Sequence, residues 1–355
     1  MVSVLTTGAS GYSDEIRRIL SALLAIPSPT GLCGEISREI EQRLDGLGLT
    51  VIRKRDGSLI ARLAGSNETA PALGYVVHLD TLGAQVKQVK ENGRLELIQV
   101  GTWSARFAEG ARVKVHADGG LLTGTILPVK ASGHAFGKKV DEQAVGWREV
   151  EVRIDAAVHN RADTIGLGVR PGDFVSIDPK PEFLESGYLV SRFLDDKAAV
   201  ACLLTAATEL AGGPMPARDI HFMFTVSEEI GTGAPGLVNP AVADVIALDI
   251  GIVAEGQETR EDSLTICMAD ATGPYDRQLS LEMEAVCKEA ELPVTRDVFR
   301  FYKSDTASAR LSGTDARMAL MAFGVDSSHG YERTHIRSLE ALTEFLIVFP
   351  HRATL

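Results

Sequence analysis

Four short apolar runs, ALGYVV, HFMFTV, DVIALDI and ARMALMAFGV, do most to limit what this 355-residue chain can fold into. Runs so uniformly apolar fit strands covered on both faces, and helical patterns lie among them. Asp196–Leu210 is Ala-rich, and Arg277–Glu291 and Arg337–Val348 are further helical stretches. This alternation predicts an α/β architecture, with a mostly parallel sheet flanked by helices. Upstream, Ser13 is the expected N-cap of a helix whose apolar face is Ile16, Ile19, Leu20, Leu23 and Leu24. Glu35–Leu44 reads as a second helix, and TVIRKRDGSLIARL as a hairpin turning at Asp56-Gly57.

Between Gln85 and Pro181 the texture changes. Short alternating stretches such as VKQVKENGRLELIQV and EVEVRID are separated by Gly, Asp and Asn turns, an all-β pattern. The simplest organisation is one α/β domain made of residues 1–84 and 182–355, with a small β domain, 85–181, inserted into it. Trp103, Phe107 and Trp147 lie in the insert, where a core position is the preferred reading over an interface.

Composition narrows the function. With 48 acidic against 36 basic side chains the net charge is −12, which argues against nucleic acid or an anionic membrane as partner. No apolar run approaches the roughly 18 residues of a membrane span. The start, MVSVLTTGAS, lacks the basic and apolar regions of a secretory signal. Cys33, Cys202, Cys267 and Cys287 form no CxxC pair and read as reduced core residues of a cytoplasmic protein.

Chemistry gathers in VVHLD, RFLDDK, TVSEEIG, IALDIG and VDSSHGYE, at expected strand ends or a helix start. In open α/β sheets that is where ligands bind. So many carboxylates in one crevice call for a cation. Residues two apart in a strand face the same way, so Asp80 can orient His78. One of Asp195 and Asp196 is expected to cap the following helix. Of the neighbours Glu228 and Glu229, one can bind metal while the other serves as general base. Asp249 ends an apolar strand, where an unpaired charge would be costly. His329 sits in a Gly/Ser-rich turn, with His335 as the competing candidate. His221, His116, His134 and His159 read as structural, and His351 as exposed. Nitrogen and oxygen donors without thiolates suit a hydrolytic pair of Zn²⁺, Co²⁺ or Mn²⁺ ions.

In that order the motifs resemble the cocatalytic metallo-aminopeptidases that include the TET, glutamyl and deblocking aminopeptidases. The likeness runs from IPSPTG through HLDTLG, GDFVSIDP, LDDK, SEEIG and ALDIG to SHGYE, and takes in the inserted β segment. It implies a zinc-exopeptidase-like fold with an insert of PDZ-like, dimerisation type. It implies two divalent metals per subunit, with His78, Asp195, Glu229, Asp249 and His329 as ligands. Asp195 would be the bridging carboxylate, Glu228 the general base and Asp80 the acid orienting His78. The chain departs from the family pattern in having HLDT for HMDE, DDK for DNR and HGYE for HSP followed by Glu. HLDTLGA, ILPVKASGH and SHGYERTH are similar to a branch linked to the osmoprotectant N-acetylglutaminylglutamine amide. The implied activity is hydrolysis of N-terminal residues from short peptides by a homo-oligomer. A deacylase acting on N-acylated dipeptide-type substrates is the alternative. Glycosidase action is disfavoured, because it needs two flanking carboxylates and no metal pair. A non-catalytic binding protein would have little use for the Glu228-Glu229 pair.

Overall fold

A computed structural model describes residues 11–67 and 69–352. Helix α1, Ser13–Ala25, buries Ile16, Ile19, Leu20, Leu23 and Leu24 as their spacing requires. Its cap differs from expectation. Tyr12 occupies the cap position and its side chain does not cap the helix, and the Ser13 hydroxyl reaches across to the Glu340 carboxylate. Helix α2, Gly34–Gly46, leads to strands β1, Thr50–Arg53, and β2, Leu59–Leu63, which pair antiparallel. The turn between them works as Asp-Gly turns do: the Asp56 carboxylate accepts the Ser58 N–H at 2.9 Å, and Gly57 takes φ +101°.

Strand β3, Ala72–His78, is buried throughout and leads into a closed barrel. The barrel strands are β4 Gly83–Val89, β5 Leu95–Val100, β6 Arg112–Ala117, β7 Gly120–Pro128, β8 Val150–Ile154 and β9 Phe174–Ile177. Alternation aims Val86, Leu97, Val113, Val115, Val152 and Val175 inward, and closure leaves no free sheet edge. Two short helices, α3 Gly133–Phe136 and α4 Arg161–Gly166, decorate it. Trp103 is buried and donates to the Gly83 carbonyl at 3.0 Å, with Trp147 edge-on to it at 4.8 Å. Phe107 departs from the core reading, being 39% exposed. His134 and His159 are also exposed.

The remaining strands are β10 Glu182–Phe183, β11 Tyr188–Ser191, β12 Ile220–Thr225, β13 Val242–Val253, β14 Leu264–Asp270, β15 Gly273–Pro274, β16 Val294–Val298, β17 Arg317–Asp326 and β18 Glu332–His335. With β1, β2 and β3 they form one mixed sheet. Its path is β1-β2-β12-β3-β13-β17-β18-β11-β10, and β14, β15 and β16 lie off it. The centre, β12-β3-β13-β17, is parallel. Both faces are covered, which explains the continuous apolar runs: Leu73, Tyr75 and Val77 join one core cluster, Ala72 and Val76 the other. Helices α1, α5 (Leu194–Gly212), α6 (Arg277–Glu289) and α8 (Ile336–Val348) contribute to the first cluster, and α7 (Asp305–Leu311) to the second. All four cysteines are buried and free. Among the described residues no helix is long and apolar enough to cross a membrane.

Candidate metal centre

The C-terminal ends of β3, β12, β13 and β17 open into one cleft, as expected for a parallel sheet. His78 is the last residue of β3 and is 2% exposed. Its Nδ1 lies 2.9 Å from the Asp80 carbonyl, so the ring proton belongs on Nδ1 and is donated there. That turns Nε2 toward the cleft, 3.0 Å from Asp195 Oδ1. The Asp80 carboxylate has other work. Its oxygens accept the N–H groups of Glu228 at 3.1 Å and Glu229 at 3.2 Å, and the Thr30 hydroxyl at 2.6 Å. Asp80 thus faces His78 mainly through its main chain and fixes the acidic turn with its side chain.

Neither Asp195 nor Asp196 caps α5 with its side chain. Helical dihedrals break at both residues, the peptide between them is cis, and Phe193 before them is left-handed at φ +65°. The Asp195 carboxylate faces the cleft, while its N–H donates to Glu332 Oε2 at 3.1 Å. Asp196 Oδ2 accepts the His78 N–H at 3.4 Å, and its buried Oδ1 has no partner.

His329 occupies a tight loop after β17 at φ +62°. Its Nδ1 sits 2.9 Å from the carbonyl of Thr102, between barrel strands β5 and β6, and its N–H donates to Glu332 Oε1 at 3.0 Å. Nε2 points inward, 3.5 Å from Asp195 Oδ2 and 3.8 Å from Glu229 Oε2. His335 is elsewhere: it caps α8 by accepting the Arg337 N–H at 3.1 Å, edge-on to Tyr188.

Two groups of candidate ligand atoms result. His78, Asp195 and Asp249 form one, and Asp195, Glu229 and His329 the other, each with its atoms within 4.8 Å of one another. Asp195 belongs to both. Among the described residues no lysine or arginine pairs with these carboxylates. Burial, with repulsion from Asp195, pushes the Asp249 carboxyl up to about 7. Burial and neighbouring acids raise Glu228 and Glu229 well above the ordinary carboxylate range. Asp195 is the exception: despite burial, the two imidazoles hold it below that range. Burial would lower His329, but the Asp195 bond and the Glu229 charge raise it to about 10. Glu229 Oε1 is buried without a hydrogen-bond partner.

Residues missed by sequence reasoning complete the frame. Glu332, quoted only as the last letter of SHGYE, holds the main chains of both Asp195 and His329. Asp305 opens α7, accepts the Thr225 hydroxyl at 2.6 Å and presses on Gly233, where a Cβ would lie 2.0 Å from its Oδ1. That contact backs the loop following Glu229. The cleft itself encloses about 1150 Å³, with Asp195, Glu228, Glu229, Asp249 and His329 on its floor and residues 296–303 along one wall.

Residues 57–345 match the family described as M42 glutamyl aminopeptidase. The chain is 36% identical over 333 residues to YhfE of Bacillus subtilis, provisionally named an aminopeptidase, covering 93% of this chain and 96% of that one. In fold it is similar to a TET aminopeptidase from the marine sediment archaeon Thaumarchaeota archaeon SCGC AB-539-E09, with TM-score 0.87 at 17% identity, over 97% of this chain and 98% of that one. The Pyrococcus horikoshii TET1 peptidase, which can assemble into a tetrahedron or a large octahedral shell, matches with TM-score 0.84 at 20% identity, over 95% and 100%.

Proposed function

The chain belongs to the M42 glutamyl aminopeptidase family, and we propose that it removes N-terminal residues from short peptides with two divalent cations held around Asp195. One observation above all supports this reading: two ligand triads share that single aspartate. The donor set suits such ions. It offers imidazole nitrogen and carboxylate oxygen without thiolate, compatible with Zn²⁺ first and with Co²⁺ or Mn²⁺. Both imidazoles have their second nitrogen against a backbone carbonyl, the arrangement that presents Nε2 to a metal. The buried, unpartnered Glu229 Oε1 is a further donor.

A bound pair of this kind supplies polarisation of the scissile carbonyl and acidification of a water. The chain's own residues do the rest. Glu228, half-buried beside the cluster, takes the proton of the attacking water and delivers it to the leaving amine. Asp80 holds the Glu228 and Glu229 amides and so fixes base and ligand in register. The floor carboxylates favour the substrate's α-ammonium end. Residues 85–181 act as the inserted domain, and the exposed Ile98 and Leu121 on its barrel favour association with further copies. The TET1 relative's assemblies point the same way; light scattering measures it.

Glu228→Gln tests the mechanism. Turnover of free-amine dipeptides should collapse while metal analysis still finds two ions per subunit. Activity retained in that variant removes the base assignment, and activity confined to N-acetylated dipeptides moves the reading to a deacylase.

A further inference from the structure

We propose that the outer lip of the cleft, formed by Arg300, Phe301 and Lys303, recognises the anionic far end of a short peptide, in the first place its free terminal carboxylate. The inference rests on the aminopeptidase reading and deepens it by naming the substrate class. The lip lies between β16 and α7 and lines the same cleft as the metal ligands.

Three features set it apart. Arg300 and Lys303 are exposed and have no ion pair or hydrogen bond among the described residues. The arginines on the two flanking elements are engaged, Arg296 with Glu284 and Arg310 over the Tyr275 ring at 5.6 Å. In a chain of net charge −12, Arg300 and Lys303 bring two unpaired cations to the cleft that holds the acidic cluster. Between them, Phe301 is 99% exposed, which leaves an aromatic face for whatever side chain enters beside the charge.

Charge is therefore arranged along the cleft's depth. Buried carboxylates make its floor, where an α-ammonium must come for its adjacent amide to be cut. The mouth carries two cations; the acids lining that side are Glu255 and Asp297, which is buried and accepts the Glu258 and Thr259 N–H groups. A zwitterionic short peptide matches that polarity with its amine inward and its carboxylate outward. About 1150 Å³ is ample for such a ligand. An acidic side chain near the mouth presents the same chemistry.

Four peptides separate the sources: Leu-Gly against Leu-Gly-amide for the terminus, and Leu-Glu-amide against Leu-Gln-amide for the side chain. Exposed ion pairs of this kind are weak individually, so two together should favour the anionic member by about tenfold in kcat/KM, chiefly through KM. Arg300→Gln with Lys303→Gln should bring the ratio close to one. Ionic strength of about 1 M, where screening reaches about 3 Å, should do the same to the parent enzyme. A preference in the first pair assigns the terminus, and one in the second pair alone assigns the side chain. No preference in either pair, or one that survives the double substitution, overturns the lip. Failure to cut all four peptides would instead count against aminopeptidase action itself.

Discussion

Strand β13 buries two aspartates, Asp244 near its start and Asp249 in its second half, and the chain treats them in opposite ways. They are equally hidden, at 2% and 4% exposure. Asp244 accepts from Arg218 and, at 2.7 Å, from Arg317, so its carboxyl is held low despite burial. Asp249 accepts the N–H of Ile250 at 2.6 Å, has no lysine or arginine partner among the described residues, and is pushed by burial up to about 7. Burial cannot account for the difference; the counter-charge does. At one end of the sheet the chain brings its own cations to a buried acid. At the other it gathers acids and supplies only two histidines, which leaves the positive charge to come from outside.

The largest effect should therefore follow metal removal. A ligand at about 1,000 times its Kd adds about 4 kcal/mol to stability, and two such sites add accordingly. Chelation should lower the melting temperature steeply, as calorimetry can measure. Asp249→Asn should lose metal yet, with chelator present, melt no lower than the chelated parent, because a repulsive charge has gone. A melting temperature indifferent to chelator would erase the contrast within β13.

Asp244→Asn should behave in the opposite sense. It leaves Arg218, 4% exposed, with a neutral partner, and breaking a buried pair costs about 3–5 kcal/mol. Urea unfolding would register this loss while metal content per folded molecule stays unchanged. The pH dependence has a definite sign. Because the folded carboxyl is depressed, its contribution is present above the unfolded value of about 3.9 and is lost as pH falls through the folded one. Asp244→Asn should then flatten the acid limb of the stability curve.

How legible all this was in the sequence depends on whether the deciding partner was local. The run ALGYVV required burial on both faces, and His78 at its end had to meet the crevice. The expectation that Asp195 or Asp196 caps α5 failed because a local rule met distant partners: His78 takes both carboxylates, from more than a hundred residues away. Ser13 likewise preferred Glu340 to its own helix. Glu332 could not be read at all. Its role lies in two main-chain N–H groups, one of them 137 residues upstream, and no side-chain pattern records that. Phe107 was expected inside because it is aromatic, yet its ring lies half-exposed against Gly330, at the border between barrel and metal loop.

Glu332 gives the next prediction. Its two oxygens serve two N–H donors, so Glu332→Gln replaces one acceptor with a donor and loosens a ligand on each side of the centre. Supporting groups of this kind are worth about 10–100-fold in metal affinity or activity. Metal titration should show that loss with little change in the urea midpoint of the metal-free chain. Unchanged affinity would mean that the ligands are held without Glu332.

The smallest effect should come from the barrel, which has its own buried acid. Glu151 is 2% exposed and is met by Lys90 at 2.6 Å and Arg94 at 2.7 Å. Both cations are about one-third exposed, so solvent already screens them, and removing one leaves the other in place. Lys90→Met should thus cost less than about 1 kcal/mol and leave metal binding and turnover alone. A loss as large as that of Asp244→Asn would show that Glu151 needs both partners. A change in metal affinity would couple the barrel's charges to the centre through Thr102, whose carbonyl meets His329 Nδ1.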